Sequence, residues 1–366
     1  MSEPRRILFL VPYPFDRAPS QRLKFEQYLE HFRAAGFAID FRPFYDEAAW
    51  QALYGRGGSV TGKLSAFLRG YLRRLRDLFR LHRYQVVFVH LWVTPIRPAL
   101  FEWLVCRLAR GKLIYDIDDL VYLKNAGHMS PWRSLFRSRR KPLLLMKQAE
   151  HVFTGTNYLD GFAASFNPNR SIIPVTIDTA RYQPRAHGQQ PGRPVVGWSG
   201  SRSTSPYLHL IREVLLEVHA LHPFVLLVSG DAGFRIEGLD VEARDWTPAG
   251  ELSLLARMDI GLYPLPMHDE WVLGKSGGKA LQYMATGVPV LATAVGANFS
   301  IVQDGETGYL LQTKQEWKDR LLYLLRHPEE RQRLGAAGRR RVEERYSVTA
   351  NLGVYLDVLQ AVARKR

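Results

Sequence analysis

Residues Gly274 to Thr293 read GKSGGKALQYMATGVPVLAT. The stretch opens with glycines and lysines, continues as a helical pattern from Lys279 to Thr286, breaks at Gly287-Val288-Pro289 and closes on the apolar run Val290-Leu291-Ala292. That succession predicts a loop, a helix, a tight turn and a buried strand. Glycine at a helix N-terminus lets backbone N–H groups approach a ligand, and Lys275 and Lys279 add charge beside the positive end of the helix dipole. The ligand suited to the Gly277 and Gly278 amides and these two lysines is a phosphate. An ordinary turn with solvated lysines has the same local pattern, so the surrounding chain must decide.

Outward from this stretch, apolar runs alternate with helical patterns in both directions. Arg6 to Pro12, Ala38 to Phe41, Gln85 to Leu91 and Lys112 to Ile117 predict strands in the first half, with a helix from Leu23 to Ala35 closed by Gly36. Val195 to Trp198, Phe224 to Asp231 and Val241 to Trp246 predict strands in the second. The alternation argues an α/β chain of two doubly wound, Rossmann-like domains, whose natural site is the cleft between them. Gln183 to Pro194, rich in Pro, Gly, Gln and Arg, reads as a linker. The expected division is residues 1–180, a linker over 181–194, a second domain over 195–345 and a closing helix over 346–366.

Composition limits the function classes. The 366 residues contain 46% hydrophobic side chains, enough for two cores. Lys and Arg number 50 against 35 Asp and Glu, a formal charge of +15 that favours an anionic partner: nucleic acid, acidic lipid or a phosphorylated small molecule. No nucleic-acid-binding module accompanies the charge, so nucleic acid is set aside. Cys106 is the single cysteine, which rules out an internal disulfide and a cysteine-rich metal site and suits a reducing compartment. With no apolar run of about 18 residues, a cytoplasmic protein is expected, with possible contact to the inner membrane face.

That contact rests on Lys63 to Arg83, where Leu64, Phe67, Leu68, Tyr71, Leu72, Leu75, Leu78 and Phe79 recur at helical spacing between arginines. Such a stripe packs inward in most globular proteins; the alternative is an anionic membrane surface. Arg133, Arg137, Arg139, Arg140 and Lys141, beside Trp132 and Phe136, form a second basic patch. In the loop after the first strand, Arg17, Ser20 and Arg22 are candidates to contact a substrate, because ligands bind beyond the carboxyl ends of strands. Asp116-Ile117-Asp118-Asp119 crowds three carboxylates at a strand end, which is costly without a cation or hydrogen-bond donors nearby. An Asp-x-Asp metal site and helix capping are both open readings there.

The stretch quoted first resembles the donor-binding signature of the retaining, two-Rossmann-domain (GT-B) glycosyltransferases of family four, roughly E-x7-E followed by A-M-A-x-G-x-P-V-V-A. The second Glu of that pattern, which holds ribose hydroxyls, falls on Gln282 and the first on Gly274, so neither carboxylate is present. Relatives reading N-K-L-x-E-Y-M-A-x-G place a Lys where Lys279 stands. An amide can still donate to and accept from a ribose diol, and Asp269 and Glu270 are nearby substitutes for the first Glu. The resemblance extends over Ile172 to Tyr182, Asp259 to Pro264, Val295-Gly296, Ile301 to Gly308 and Arg339 to Ser347, strongly in the second half and loosely in the first.

The resemblance implies a nucleoside-diphosphate-sugar donor, no required cofactor or metal, and transfer with retention to a glycan, lipid-linked or small-molecule acceptor. It assigns donor contacts to Ser199, Gly200 and Arg202 after the strand at Val195, to Trp246 near the base, and to Lys275, Gly277, Gly278 and Gln282. Lys279, Asp118 and Asp119 become the catalytic candidates, the aspartates standing where the family has His-Asp. A sugar-nucleotide epimerase or phosphorylase and a catalytically silent partner subunit share the architecture and remain alternatives.

Overall fold

The computed structural model describes residues 4–54, 59–118, 120, 138–184 and 192–364. Two compact units emerge: residues 1–175 with 351–366, and residues 176–350. Among the described residues each contains a six-stranded sheet whose strand pairs are all parallel. The chain therefore has the two-domain, Rossmann-like architecture expected from its alternating pattern.

In the first unit, β1 (Arg5–Val11), β2 (Phe37–Pro43), β3 (Val86–His90), β4 (Leu113–Ile117), β5 (His151–Thr154) and β6 (Arg170–Ile172) lie in the order β2-β1-β3-β4-β5-β6. Strand order reverses between β1 and β3, and a crevice opens at such a reversal beyond the carboxyl ends of the strands. The continuous apolar runs are explained by burial on both faces: every residue of β3 and β4 is buried. Tyr355, from the closing helix Val348–Arg364, packs on Tyr28, Phe32 and Phe153 with ring centroids 4.7, 5.6 and 4.9 Å away. The single helix expected over Leu23 to Ala35 is instead Pro19–Arg22, a 3-10 turn at Glu26–Tyr28 and Leu29–Ala34. Pro19 explains the early start, since a proline in the first turn gives up an amide that has no partner there.

The long basic helix spans Val60–Arg80. Arg74 on its inner face is almost fully buried and donates to the carbonyls of Val11, Arg42 and Val93, at 2.7, 2.9 and 2.8 Å. It also bonds Asp77 at 3.2 Å, so an arginine fixes this helix across the ends of β1 and β2. Gly70 is required by close packing: a Cβ there would meet the Phe44 ring at 2.6 Å. The inward packing expected of the leucine stripe is corrected by this arrangement. Phe67 and Tyr71 join the Phe44 cluster, whereas Leu64, Leu68, Leu72, Leu75 and Phe79 face solvent.

In the second unit, β7 (Val195–Ser199), β8 (Val225–Ser229), β9 (Val241–Arg244), β10 (Ile260–Tyr263), β11 (Val290–Thr293) and β12 (Gly308–Leu311) lie in the order β12-β11-β10-β7-β8-β9. The reversal here falls between β7 and β10. The core under one face gathers Trp198, Leu226, Leu262, Leu291, Trp317 and Leu321. The predicted helix–turn–strand is present as Gly278–Ala285, a turn with Gly287 at φ 72°, and β11. Among the described residues of the whole chain, no helix is long and apolar enough to cross a membrane.

Candidate functional site

The reversal point of the second sheet carries a cation. Lys279, in the first turn of the helix Gly278–Ala285, places its Nζ 4.3 Å from the Trp198 ring of β7 and 5.6 Å from the Tyr263 ring of β10. Its one hydrogen-bond partner among the described residues is Thr204 Oγ1 at 3.3 Å, and no carboxylate pairs with it there. Burial of the ammonium, with Lys275 nearby, pushes its pKa down to about 7; the two ring faces favour the charged form and limit that fall. The result is a preorganised, partly desolvated positive charge whose protein partners are ring faces and a hydroxyl.

Two glycines make room for it. Gly277 caps the helix in the left-handed region, φ +70°, with no side-chain cap hydrogen bond among the described residues, and a Cβ there would also collide with Ile301. Gly277→Ala is expected to destabilise the second unit by about 1–3 kcal/mol, read from urea unfolding, because it adds backbone strain to a steric clash. At Gly200 a Cβ would run into the Trp198 ring and stand 2.7 Å from Lys279 Nζ. The Lys275 ammonium lies 5.7 Å from the Trp271 ring centroid.

The turn after β7 contributes less backbone than its small residues suggested. Ser199 N–H donates to the Tyr283 hydroxyl at 2.8 Å and Gly200 N–H to the Ser229 carbonyl at 2.9 Å. Both amides are engaged within the protein, so Gly200 serves the approach of Trp198 and Lys279. Arg202 is largely exposed and pairs with Asp231, Nε to Oδ1 3.5 Å.

Gln282 and Trp246, 36 positions apart by their residue numbers, meet on one carboxylate. Glu251, at 3% exposure, accepts from Trp246 Nε1 at 3.0 Å, Gln282 Nε2 at 3.0 Å and the Tyr182 hydroxyl at 2.7 Å. Gln282 Nε2 also reaches the Tyr182 hydroxyl at 3.2 Å. Sequence reasoning named Gln282 and Trp246 and missed Glu251 and Tyr182, which come from a short helix and from the segment read as an interdomain connection. Because a buried carboxylate satisfies three donors here, Glu251→Ala is expected to cost about 2–4 kcal/mol in urea unfolding and to redshift Trp246 emission.

In the first unit, the cation demanded by the acidic strand end is Lys24. Its Nζ lies 3.3 Å from Asp116 Oδ1, and His90 Nδ1 lies 2.5 Å from Asp116 Oδ2, all three residues fully buried. Lys24 Nζ also donates to the Ile173 carbonyl. Burial raises the Asp116 pKa, but Lys24 and the His90 hydrogen bond outweigh it and hold the carboxyl below its usual value. His90 Nε2 is buried without a hydrogen-bond partner among the described residues, and Leu91 follows at φ 57°, a left-handed conformation that costs a non-glycine residue about 1–2 kcal/mol. Asp118 is buried against Gly155, where a Cβ would meet its Oδ1 at 2.6 Å. Asp119 lies outside the described residues, as do Trp132, Arg133, Phe136 and Arg137. Among the described residues no group of three or more His, Cys, Asp or Glu side chains is placed to hold a metal.

The acceptor candidates separate. Arg17 is held by Glu47 at 2.6 Å, and Ser20 and Arg22 sit on the short helix rather than in a loop. Arg22 is buried, with Nε 4.0 Å from Asp16 Oδ1. Beside it, Glu26 accepts from Asp16 N–H and Gln21 Nε2, each at 2.8 Å, and burial raises its carboxyl to about 7. No periodicity marks Glu26, because its environment is made by the turn that replaced the expected helix. Lys141, counted in the basic surface patch, is instead buried on Glu102 at 3.1 Å.

Comparison with known proteins bears on the second unit most directly. Residues 255–341 match the family described as glycosyl transferases group 1. A trehalose synthase of Pyrococcus horikoshii is 41% identical over 80 residues, 22% of this chain and 19% of that protein. Another from Pyrococcus furiosus is 34% identical over 73 residues, 20% of this chain and 18% of that protein. The matches thus span about a fifth of these curated relatives. Over nearly the whole chain, a sucrose-phosphate synthase from Thermosynechococcus elongatus superposes with TM-score 0.67 at 15% identity, covering 98% of this chain and 99% of that one. A glycosyltransferase from Rickettsia africae gives 0.69 at 12% identity over 100% of both chains. Anabaena HepE in complex with UDP-glucose gives 0.66 at 14% identity, covering 97% and 99%. These likenesses identify the GT-B fold.

Proposed function

We propose that this chain, with its group 1 glycosyl transferase segment at residues 255–341, moves a sugar from a nucleoside-diphosphate sugar to a hydroxyl acceptor with the anomeric configuration retained. The observation that carries the reading is the Lys279 ammonium, with no carboxylate partner among the described residues, at the β7/β10 reversal, where open parallel sheets bind ligands. The HepE structure with UDP-glucose supports the same donor class for this fold.

Breaking the bond between the sugar and the diphosphate leaves negative charge on the departing oxygens. A fixed cation in a partly desolvated site lowers the barrier because it acts most where that charge develops. Lys279 is assigned to this step, with Lys275 and the Gly277 and Gly278 amides at the same helix N-terminus. The leaving diphosphate takes the proton of the acceptor hydroxyl as the new glycosidic bond forms. Arg202, paired with Asp231, and Ser199 and Gly200 line the neighbouring turn. Gln282 and Trp246, anchored on Glu251, are assigned to the ribose and base. Asp118, Asp119, Arg17, Ser20 and Arg22 are assigned to the acceptor side, glycan, lipid-linked or small.

The test is thermal stabilisation by a panel of nucleotide sugars, followed by product analysis with the ligand that stabilises most. A ligand bound at 100 times its Kd adds about 2.7 kcal/mol to the folded state. Stabilisation with transfer to an acceptor and an unchanged anomeric configuration supports the reading. Epimerisation or phosphorolysis without an acceptor, or binding without turnover, would replace it by the corresponding alternative.

A further inference from the structure

The helix Val60–Arg80 turns a row of large apolar side chains to water. Leu64 is 59% exposed, Leu68 and Leu72 56%, Leu75 45% and Phe79 73%. At 3.6 residues per turn these five fall within an arc of about 80° and run about 22 Å along the helix. Single exposed leucines are ordinary; an aligned row on one helix is not. The inner face of the helix is already occupied by Ala66, Gly70, Arg74, Asp77 and Leu78, so the row is a second apolar face rather than an unpacked core.

Its border is basic. Arg69, Arg76 and Arg80 are exposed on the next part of the helix surface, with Lys63 at one end and Arg83 at the other. Among the described residues Arg76, Arg80 and Arg83 pair with no carboxylate. From residue 60 to residue 83 the one acidic side chain is Asp77, which is buried on Arg74. The adjoining helix Leu100–Leu108, joined to this one through the Tyr71 and Phe101 rings at 5.4 Å, exposes Leu100, Trp103 and Leu108. Its Arg107 lies over Trp103 at 5.6 Å.

We propose that this face docks on an anionic membrane surface, its leucines and aromatics entering the headgroup boundary and its arginines meeting lipid phosphates. A helix with a narrow apolar row, an arginine border and a polar remainder is suited to lie in that interface, and arginines extend their charged ends to the phosphates while their stems cover apolar surface. A second copy of this chain is the weaker occupant by charge: apposing two such rows brings together arginine rows whose own helix offers no exposed acid to neutralise them. The proposal stands apart from the assignment of sugar transfer, because none of its residues belongs to the proposed donor site.

The experiment is co-sedimentation of the full chain with vesicles of phosphatidylcholine alone and with about a third phosphatidylglycerol. Binding to the anionic vesicles and little to the neutral ones is expected. Leu68→Glu with Leu72→Glu, and separately Arg76→Glu with Arg80→Glu, should each lower the bound fraction at least about tenfold. Both pairs are exposed, so unchanged thermal midpoints are expected, and nucleotide-sugar stabilisation measured on the same variants keeps the donor site under separate test. Failure of the wild-type chain to bind anionic vesicles would overturn the proposal. So would binding that neither pair weakens, or self-association that the leucine pair abolishes in place of vesicle binding.

Discussion

Replacing Lys279 with methionine is expected to lower sugar transfer by about 10²–10³ while leaving the thermal midpoint unchanged or higher. The two halves of this expectation have one cause. The ammonium is partly buried between the rings of Trp198 and Tyr263 with no carboxylate partner among the described residues, and burial with Lys275 drives its pKa to about 7. Such a charge is a burden on folding, and an isosteric apolar side chain relieves it. It becomes an advantage only when a dianion arrives. Rates of transfer with a fixed donor, and calorimetric midpoints of both proteins, check the pair of outcomes. A variant that loses activity because it loses its fold would show a lower midpoint, which this account does not predict.

The second large effect concerns stability. Asp116→Ala is expected to destabilise the first unit by about 3–5 kcal/mol, because it strands the Lys24 ammonium, which has no exposure and among the described residues otherwise meets one backbone carbonyl. Lys24→Met combined with Asp116→Leu should recover most of that loss, since an apolar pair carries no unpaired charge. Urea unfolding of the single and double variants supplies the cycle. The pH dependence has a definite sign: the Asp116 carboxyl is held below its usual pKa, so its contribution is full above about pH 4 and is lost as the pH falls through the lowered native value.

Much of the architecture could be read in the sequence because parallel strands buried on both faces must be continuous apolar runs, and β1, β3, β4, β7, β10 and β11 are such runs. The glycine-lysine helix entry was legible for a similar local reason: Gly277 needs a left-handed backbone and Lys279 follows two positions later. Orientation was less legible. The Val60–Arg80 pattern is apolar over so wide an arc that Phe67, Tyr71 and Leu78 could turn inward while Leu64, Leu68, Leu72, Leu75 and Phe79 turned out. The deciding contact is Arg74 on the carbonyls of Val11, Arg42 and Val93, which no helical periodicity records. The same limit hid the partners of Gln282 and Asp116. Glu251, Tyr182 and Lys24 are distant in sequence, and each looked like an unremarkable member of its own segment.

The central claim, that the Lys279 ammonium seats a diphosphate, is tested most directly by calorimetric titration, at about pH 8 in two buffers of different ionisation enthalpy, of the nucleoside diphosphate whose sugar derivative stabilises the chain most. With the pKa of the free lysine lowered to about 7 and the bound one held charged by the phosphates, wild type should take up protons on binding, and its affinity should fall as the pH rises above about 7. Lys279→Met should bind more weakly and take up none. Tight binding by both proteins with equal proton uptake would contradict the claim.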